Sequence, residues 1–254
     1  MSSTYKEQIC RLLKGIETGD PESVTVVNED KYIQHNPQTP EGSIGLAELF
    51  KQLSKTNPGV NIVRIFEDGD FIFAHTEYDF SNRNIGFEIF RFENGQAVEH
   101  WDNIQHRKDP NPAGNSMIDG SVEITDLALT EKNRNLIRKF TDEALLHKHL
   151  DKLTEYIDQD RYTEHNPQLG NEVPSLRAHL AASETDGEHI SYDKCHLILA
   201  EGNFVLTACE GTANQAWTSF FDLYRLSNGR IVEHWDTREA IPPRNEWKND
   251  NGKF

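Results

Sequence analysis

Apolar residues along this chain follow two rhythms, first helical and then alternating, and the whole succession occurs twice. Ile9, Leu12, Leu13 and Ile16 recur at helical spacing, and Thr4 with Glu7 forms a capping-box pattern ahead of them. Gly19-Asp20-Pro21 stops that helix and opens another, with Asp20 as N-cap and Pro21 at the first helical position. A third helix is predicted over 43–53. Two-residue alternation then takes over and predicts strands at 61–66, 70–79, 85–92 and 96–104. From Thr130 a longer helix runs through Leu136, Phe140 and Ala144, and Pro174 opens the counterpart of the third helix. Strands are predicted again near 190–198, 203–210, 215–226 and 230–238.

The repetition is also literal. NGQAVEHWD at 94–102 returns as NGRIVEHWD at 228–236, and YIQHNPQ at 32–38 returns as YTEHNPQ at 162–168. EDGDFIFAHTE at 67–77 matches AEGNFVLTACE at 200–210, and FEIFRFENG at 87–95 matches FDLYRLSNG at 221–229. Conserved order and offsets of 130 to 134 mark a tandem duplication of a whole domain. The expected division is a first domain over 1–110, a linker over 111–128 that holds the Gly- and Pro-rich NPAGNSMIDGS, and a second domain over 129–254. Helices followed by a meander of antiparallel strands make an α+β fold, with helices covering one face of a curved sheet.

Charge narrows the partners. The 254 residues carry 26 Lys and Arg against 42 Asp and Glu, a net charge of -16. A field of that sign repels phosphate backbones and anionic lipid, so no nucleic-acid or membrane partner is expected. Cys10, Cys195 and Cys209 form no paired spacing, which suits a reducing compartment. The charged start lacks the apolar core of a signal peptide, and no stretch reaches membrane-spanning length. A cytoplasmic protein is expected.

The Asn94-Gly95 turn decides which side chains share a face. A two-residue hairpin would set Glu88 opposite Trp101, with His100 and Asp102 on the other side of the sheet. A three-residue loop would set Glu88 opposite His100 and Phe90 opposite Val98, so that Glu88, His100 and Asp102 share one face. The second register is preferred, because scattered buried charges cost several kcal/mol each, roughly, while clustered ones pair or share protons. On the preceding strand Phe71, Phe73, His75 and Glu77 share a face, and their aromatic-to-ionisable gradient suggests a pocket with an apolar floor. The second copy offers Phe204, Leu206, Ala208 and Glu210 there, with Asp222, His234 and Asp236 for the Glu88 set. His165 and Asn166 stand for His35 and Asn36.

On the YIQHNPQ and EHWD blocks, both copies resemble SnoaL-like domains, the polyketide-cyclase branch of the nuclear transport factor two-like superfamily. The MIDGSVEITDLALTEKNRN segment is similar to the lead-in of bacterial members. The resemblance implies two cone-shaped domains, each a strongly bent antiparallel sheet on about three helices around an apolar pocket. It implies ketosteroid isomerases, aldol cyclases, dehydratases, epoxide hydrolases or plain binders, and no cofactor. Glu88 and Asp222 match the isomerases' protonated aspartate, while Phe73, His75, Glu77, His100, Asp102 and Ile104 match pocket-lining positions. Asn36 and Asn166 match the isomerases' base aspartate, and an amide cannot take up a proton. No counterpart of the oxyanion tyrosine is evident, Leu12 being nearest, so steroid isomerisation is disfavoured.

The expected chemistry is acid–base catalysis of the cyclase, isomerase or dehydratase type on a small apolar carbonyl compound. Glu88 or Asp222, buried among apolar neighbours, would hold an enolate oxygen; His100 or His75, with Asp102, would move the proton. His234 and Asp236 would do so in the second copy, which has the poorer set. Phe73, Glu77, Phe90, Leu206, Glu210, His35, Asn36, His165 and Asn166 are the expected substrate contacts. His35, His75 and His100 could offer metal ligands, but none has close ligand spacing, and no metal is expected. A non-catalytic binding or assembly module is the alternative, its copies paired as an intramolecular pseudo-dimer, with homo-oligomers also open.

Overall fold

The computed structural model describes residues 4–183 and 189–254. It divides into two compact units, Met1–His106 with Ile241–Phe254, and Arg107–Ala240. This differs from the division expected above at both seams. Residues 107–126 are not a loose connection, because Asn111 and Asn115 both donate to the Glu164 carbonyl and the Trp235 indole donates to that of Asp119. Residues 241–254, expected in the second domain, belong to unit 1.

Unit 1 opens with α1 (Tyr5–Thr18), whose capping box between Thr4 and Glu7 is formed and whose end is Gly19 in the left-handed conformation. The segment after Asp20 is a 3-10 helix, Pro21–Val26, rather than an α-helix. A two-residue strand, β1 (Ile33–Gln34), precedes α2 (Gly42–Leu53). Then come β2 (Gly59–Asp68), β3 (Phe71–Asp79), β4 (Arg83–Glu93) and β5 (Gln96–His106). The sheet order is β1-β5-β4-β3-β2, with β1 parallel to β5 and the other pairs antiparallel.

Unit 2 repeats the plan. α3 (Thr130–Phe140) runs into a π-helical turn, Thr141–Leu146, and is followed by α4 (Leu153–Tyr156), β6 (Thr163–Glu164) and α5 (Val173–Ala181). Its sheet comprises β7 (Ile190–Glu201), β8 (Phe204–Ala213), β9 (Ala216–Ser227) and β10 (Arg230–Ala240), in the order β6-β10-β9-β8-β7. Among the described residues no helix is long and apolar enough to cross a membrane.

Each core lies between helices and one sheet face. In unit 1, Ile9, Leu12, Leu13 and Ile16 of α1 and Leu46 and Phe50 of α2 pack with Ile72, Tyr78, Phe90 and Phe92 of the sheet. In unit 2, Ile137, Phe140, Leu176 and Leu180 pack with Val205, Cys209, Phe220 and Tyr224. Burying such side chains supplies about 1.5–3 kcal/mol each.

The hairpins correct the expected register. Glu93 pairs with Gln96, so Asn94-Gly95 is a two-residue turn, with φ of 52° and 85°, the mirror-image form that follows strand twist. A bulge between Arg91 and Phe92 then opposes one extra residue of β5, and beyond it Glu88 faces Asp102 and Phe90 faces His100. The bulge restores the parity that the short turn removes. Glu88, His100 and Asp102 therefore do share a face, by a different route. Unit 2 repeats the device, with Asp222 opposite Asp236 and Tyr224 opposite His234.

Candidate active site

The same register overturns part of the expected pocket. Ala74 faces Glu88 and Ile72 faces Phe90, so the even-numbered residues of β3 lie on the helix side. Phe73, His75 and Glu77 lie on the opposite face, as do Leu206 and Glu210 in unit 2. His75 is fully buried there, stacked 4.6 Å from Phe87, with Nδ1 2.9 Å from the Arg64 guanidinium. Glu210 bonds His196 at 3.2 Å. Alternation misleads here because Phe73, Phe87 and Ile89 are buried on their face just as Ile72 and Phe90 are on the other. His35 and His165 also leave the pocket. His35 stacks on Trp101 at 4.7 Å and bonds Glu99 at 3.0 Å and the Gly252 carbonyl at 3.2 Å. His165 does the same with Trp235, Glu233 and the Ser116 carbonyl.

The remaining expected residues converge. In unit 1 a cavity of about 100 Å³ is walled by α1, α2 and the sheet, with Leu13, Ile16, Leu46 and Phe50 among its apolar lining. Glu88, Phe90, His100, Asp102 and Asn36 line it as well, and so do Tyr32, Gln34 and Tyr78. His100 Nε2 lies 2.8 Å from Glu88 Oε2, and its Nδ1 lies 2.9 Å from Gln34 Oε1. Gln34 Oε1 also accepts from the Asn36 amide, so it is an acceptor and His100 Nδ1 carries a proton toward it. One further proton then joins His100 Nε2 and Glu88 Oε2, on an imidazolium or on a carboxyl group. Tyr78 donates to the other Glu88 oxygen at 2.6 Å.

Asp102 accepts from Asn36 Nδ2 at 2.7 Å and lies 3.4 Å from Lys253 Nζ. That ammonium is buried and arrives on the 241–254 segment, which is held by Asn249 and Asn251 donating to the carbonyls of Asn36, Thr39 and Gln34. Asn36 itself has no proton chemistry to offer, since its carbonyl caps the turn at the Gln38 amide. Glu88, His100 and Asp102 each present a donor atom within 4.8 Å of the others, a set that could hold a divalent cation if the shared proton left.

Unit 2 keeps the constellation but not the space. Its cavity measures about 20 Å³, room for about one water. His234 stands between two carboxylates, with Nδ1 2.9 Å from Glu164 and Nε2 3.1 Å from Asp222. Burial opposes charge on His234, yet Glu164 and Asp222 hold its proton well above the usual histidine range. Burial likewise works against ionised Glu164, but the His234 charge keeps that carboxyl below its ordinary value. Asp222 is pushed up by burial, which outweighs its bond to His234. Asp236 pairs with Asn166 at 2.8 Å and with Arg238 at 3.3 Å.

Three exchanges between the repeats put larger side chains in unit 2, and two of them, Tyr224 and Arg238, line its cavity. Gly86 becomes Phe220, Ile104 becomes Arg238, and Phe90 becomes Tyr224. A Cβ on Gly86 would sit 2.8 Å from the Tyr78 ring, so the missing side chain makes room for that phenol. Unit 2 has Gly211 at the Tyr78 position, and Tyr192 on β7 reaches Asp222 instead, at 3.2 Å, its ring tilted 33° against Phe220 at 4.5 Å. A phenol thus meets the strand carboxylate in both copies, from different strands. The sequence pattern contains both tyrosines without revealing either contact.

Helices over one face of a five-stranded sheet, a short parallel edge strand carrying the HNP turn, and a polar cluster at the end of the enclosed hollow decide the architecture. Each unit is an α+β fold, with helices over one face of a five-stranded sheet. No protein-family model and no curated protein matches the chain. Among solved structures, the chain is similar to a candidate polyketide cyclase from Bacillus cereus, at 19% identity over 39% of this chain and 72% of that one, TM-score 0.35. A candidate ketosteroid isomerase from Kribbella flavida has 16% identity, coverage of 45% and 84%, and a TM-score of 0.38. An epoxide hydrolase from M. tuberculosis has 16% identity, coverage of 39% and 81%, and a TM-score of 0.35.

Proposed function

We propose that unit 1 is an acid–base site for a small, largely apolar carbonyl compound, with Glu88 and His100 as its proton-handling pair. The observation that carries this reading is the 2.8 Å contact between His100 Nε2 and Glu88 Oε2, both lining the cavity. A group that takes a proton from carbon and a neighbour that returns it are what enolisation, aldol cyclisation and dehydration share. Here the two states differ only in which partner holds the proton. Apolar walls raise the strength of every polar contact inside and favour an uncharged substrate. Tyr78 supports Glu88, and Asn36 and Lys253 fix Asp102 beside it.

For unit 2 a non-catalytic reading is favoured by its filled cavity and by a histidine locked between two carboxylates. Holding a proton that tightly leaves little driving force to give it up. Its role is then structural.

The test is exchange of α-hydrogens for deuterium in small ketones such as cyclohexanone and acetophenone, followed by NMR. Glu88→Gln and His100→Gln should each slow exchange by about a hundredfold or more, while Asp222→Asn leaves the rate within about twofold, close to the wild-type protein. Equal rates in wild type and Glu88→Gln would remove the proposed pair from the chemistry.

A further inference from the structure

Tyr32 and Tyr162 open the YIQHNPQ and YTEHNPQ blocks, each standing ahead of its Asn-Pro turn, Asn36-Pro37 or Asn166-Pro167, yet their hydroxyls meet different fates. In unit 2 the Tyr162 hydroxyl donates to Glu164, the carboxylate that also holds His234. In unit 1 the equivalent acceptor is Gln34. Both lone pairs of its side-chain oxygen are taken, one by the Asn36 amide and one by His100 Nδ1. The other half of that side chain is an NH₂ group, which donates and cannot receive the phenol proton. The Tyr32 hydroxyl is left buried with no acceptor for its proton, on a residue that lines the cavity. A buried hydroxyl in that state costs free energy unless something else occupies the site.

We infer that Tyr32 is the hydrogen-bond donor to the ligand of unit 1, and that its partner is a carbonyl or enolate oxygen. This deepens the proposed function and rests on it. Burial pushes the Tyr32 phenol well up and the Asp102 and Glu88 carboxylates add to this, outweighing the opposite pull of the Gln34 side chain. The group therefore keeps its proton and acts as a donor. The carboxylate-to-amide exchange at Gln34 frees this hydroxyl, and the wider cavity of unit 1 gives the acceptor room.

Two measurements on the full chain test the assignment. Thermal midpoints are compared for Tyr32→Phe and Tyr162→Phe: the first should leave the midpoint unchanged or raise it, while the second lowers it by several degrees. Cyclohexanone labelled with ¹³C at the carbonyl is then titrated and followed by NMR. Its resonance should move downfield with wild type, whereas Tyr32→Phe loses the shift and binds about tenfold more weakly. A midpoint that falls in Tyr32→Phe as it does in Tyr162→Phe, or a shift that survives Tyr32→Phe, overturns the role of the hydroxyl and leaves the proposed function standing. No shift with wild type sinks both.

Discussion

At Gln34 and Glu164 the repeat differs by an amide for a carboxylate, so His234 stands between two carboxylates where His100 meets one. His234, between Glu164 and Asp222, stays charged well above the ordinary histidine range. A histidine raised in this way gives stability that is complete below its unfolded value, about 6.5, and is lost as pH rises through its higher folded value. Melting of wild type and His234→Gln should therefore differ most near and below neutrality, with the gap closing as pH rises above about 7. A gap that widened in alkali would contradict the imidazolium. Gly86 belongs to the same scale. A methyl group there would lie 2.7 Å from Thr76 Oγ1 and 2.8 Å from the Tyr78 ring, so Gly86→Ala should cost about 1–3 kcal/mol in urea unfolding and loosen the Tyr78–Glu88 bond. The quoted repeats contain Gln34 and Glu164 in plain view, and Gly86 and Phe220 stand just ahead of another matched block. Their meaning was hidden because β1 and β6 are only two residues long and carry no periodicity of their own.

Among the elements, the hairpins show how far pattern reading reaches. Strand positions and the common face of Glu88, His100 and Asp102 were legible from alternation and from the cost of scattering charge. The turn length and the bulge were not, because the extra residues opposite the bulges, Val98 and Val232, are ordinary strand formers. The choice of face on β3 also failed, since both faces of the sheet are buried. The two-residue turns place Gly95 at φ 85° and Gly229 at φ 72°. Gly95→Ala and Gly229→Ala should each cost about 1–2 kcal/mol, measured by urea unfolding. Equal stability of both variants with wild type would mean that the turns have another conformation.

For the molecule as a whole, the duplication was legible and its seams were not. Offsets between repeats locate the domains, but the contacts of the 241–254 segment with unit 1 span more than two hundred residues of sequence, and nothing in RNEWKNDNGKF announces them. Lys253 is only 2% exposed and its ammonium lies 3.4 Å from Asp102. Lys253→Met leaves that carboxylate without its cation and should lower stability by about 3 kcal/mol, with Lys253→Arg restoring part of it. Calorimetry of both variants checks this, and a Lys253→Met protein as stable as wild type would show the pair to be idle. The same arrangement sets an order of events at the ribosome. The first repeat waits for the whole of the second to be made before Asp102 meets its cation, so a chain stopped ahead of Lys253 would leave the first repeat's site unfinished.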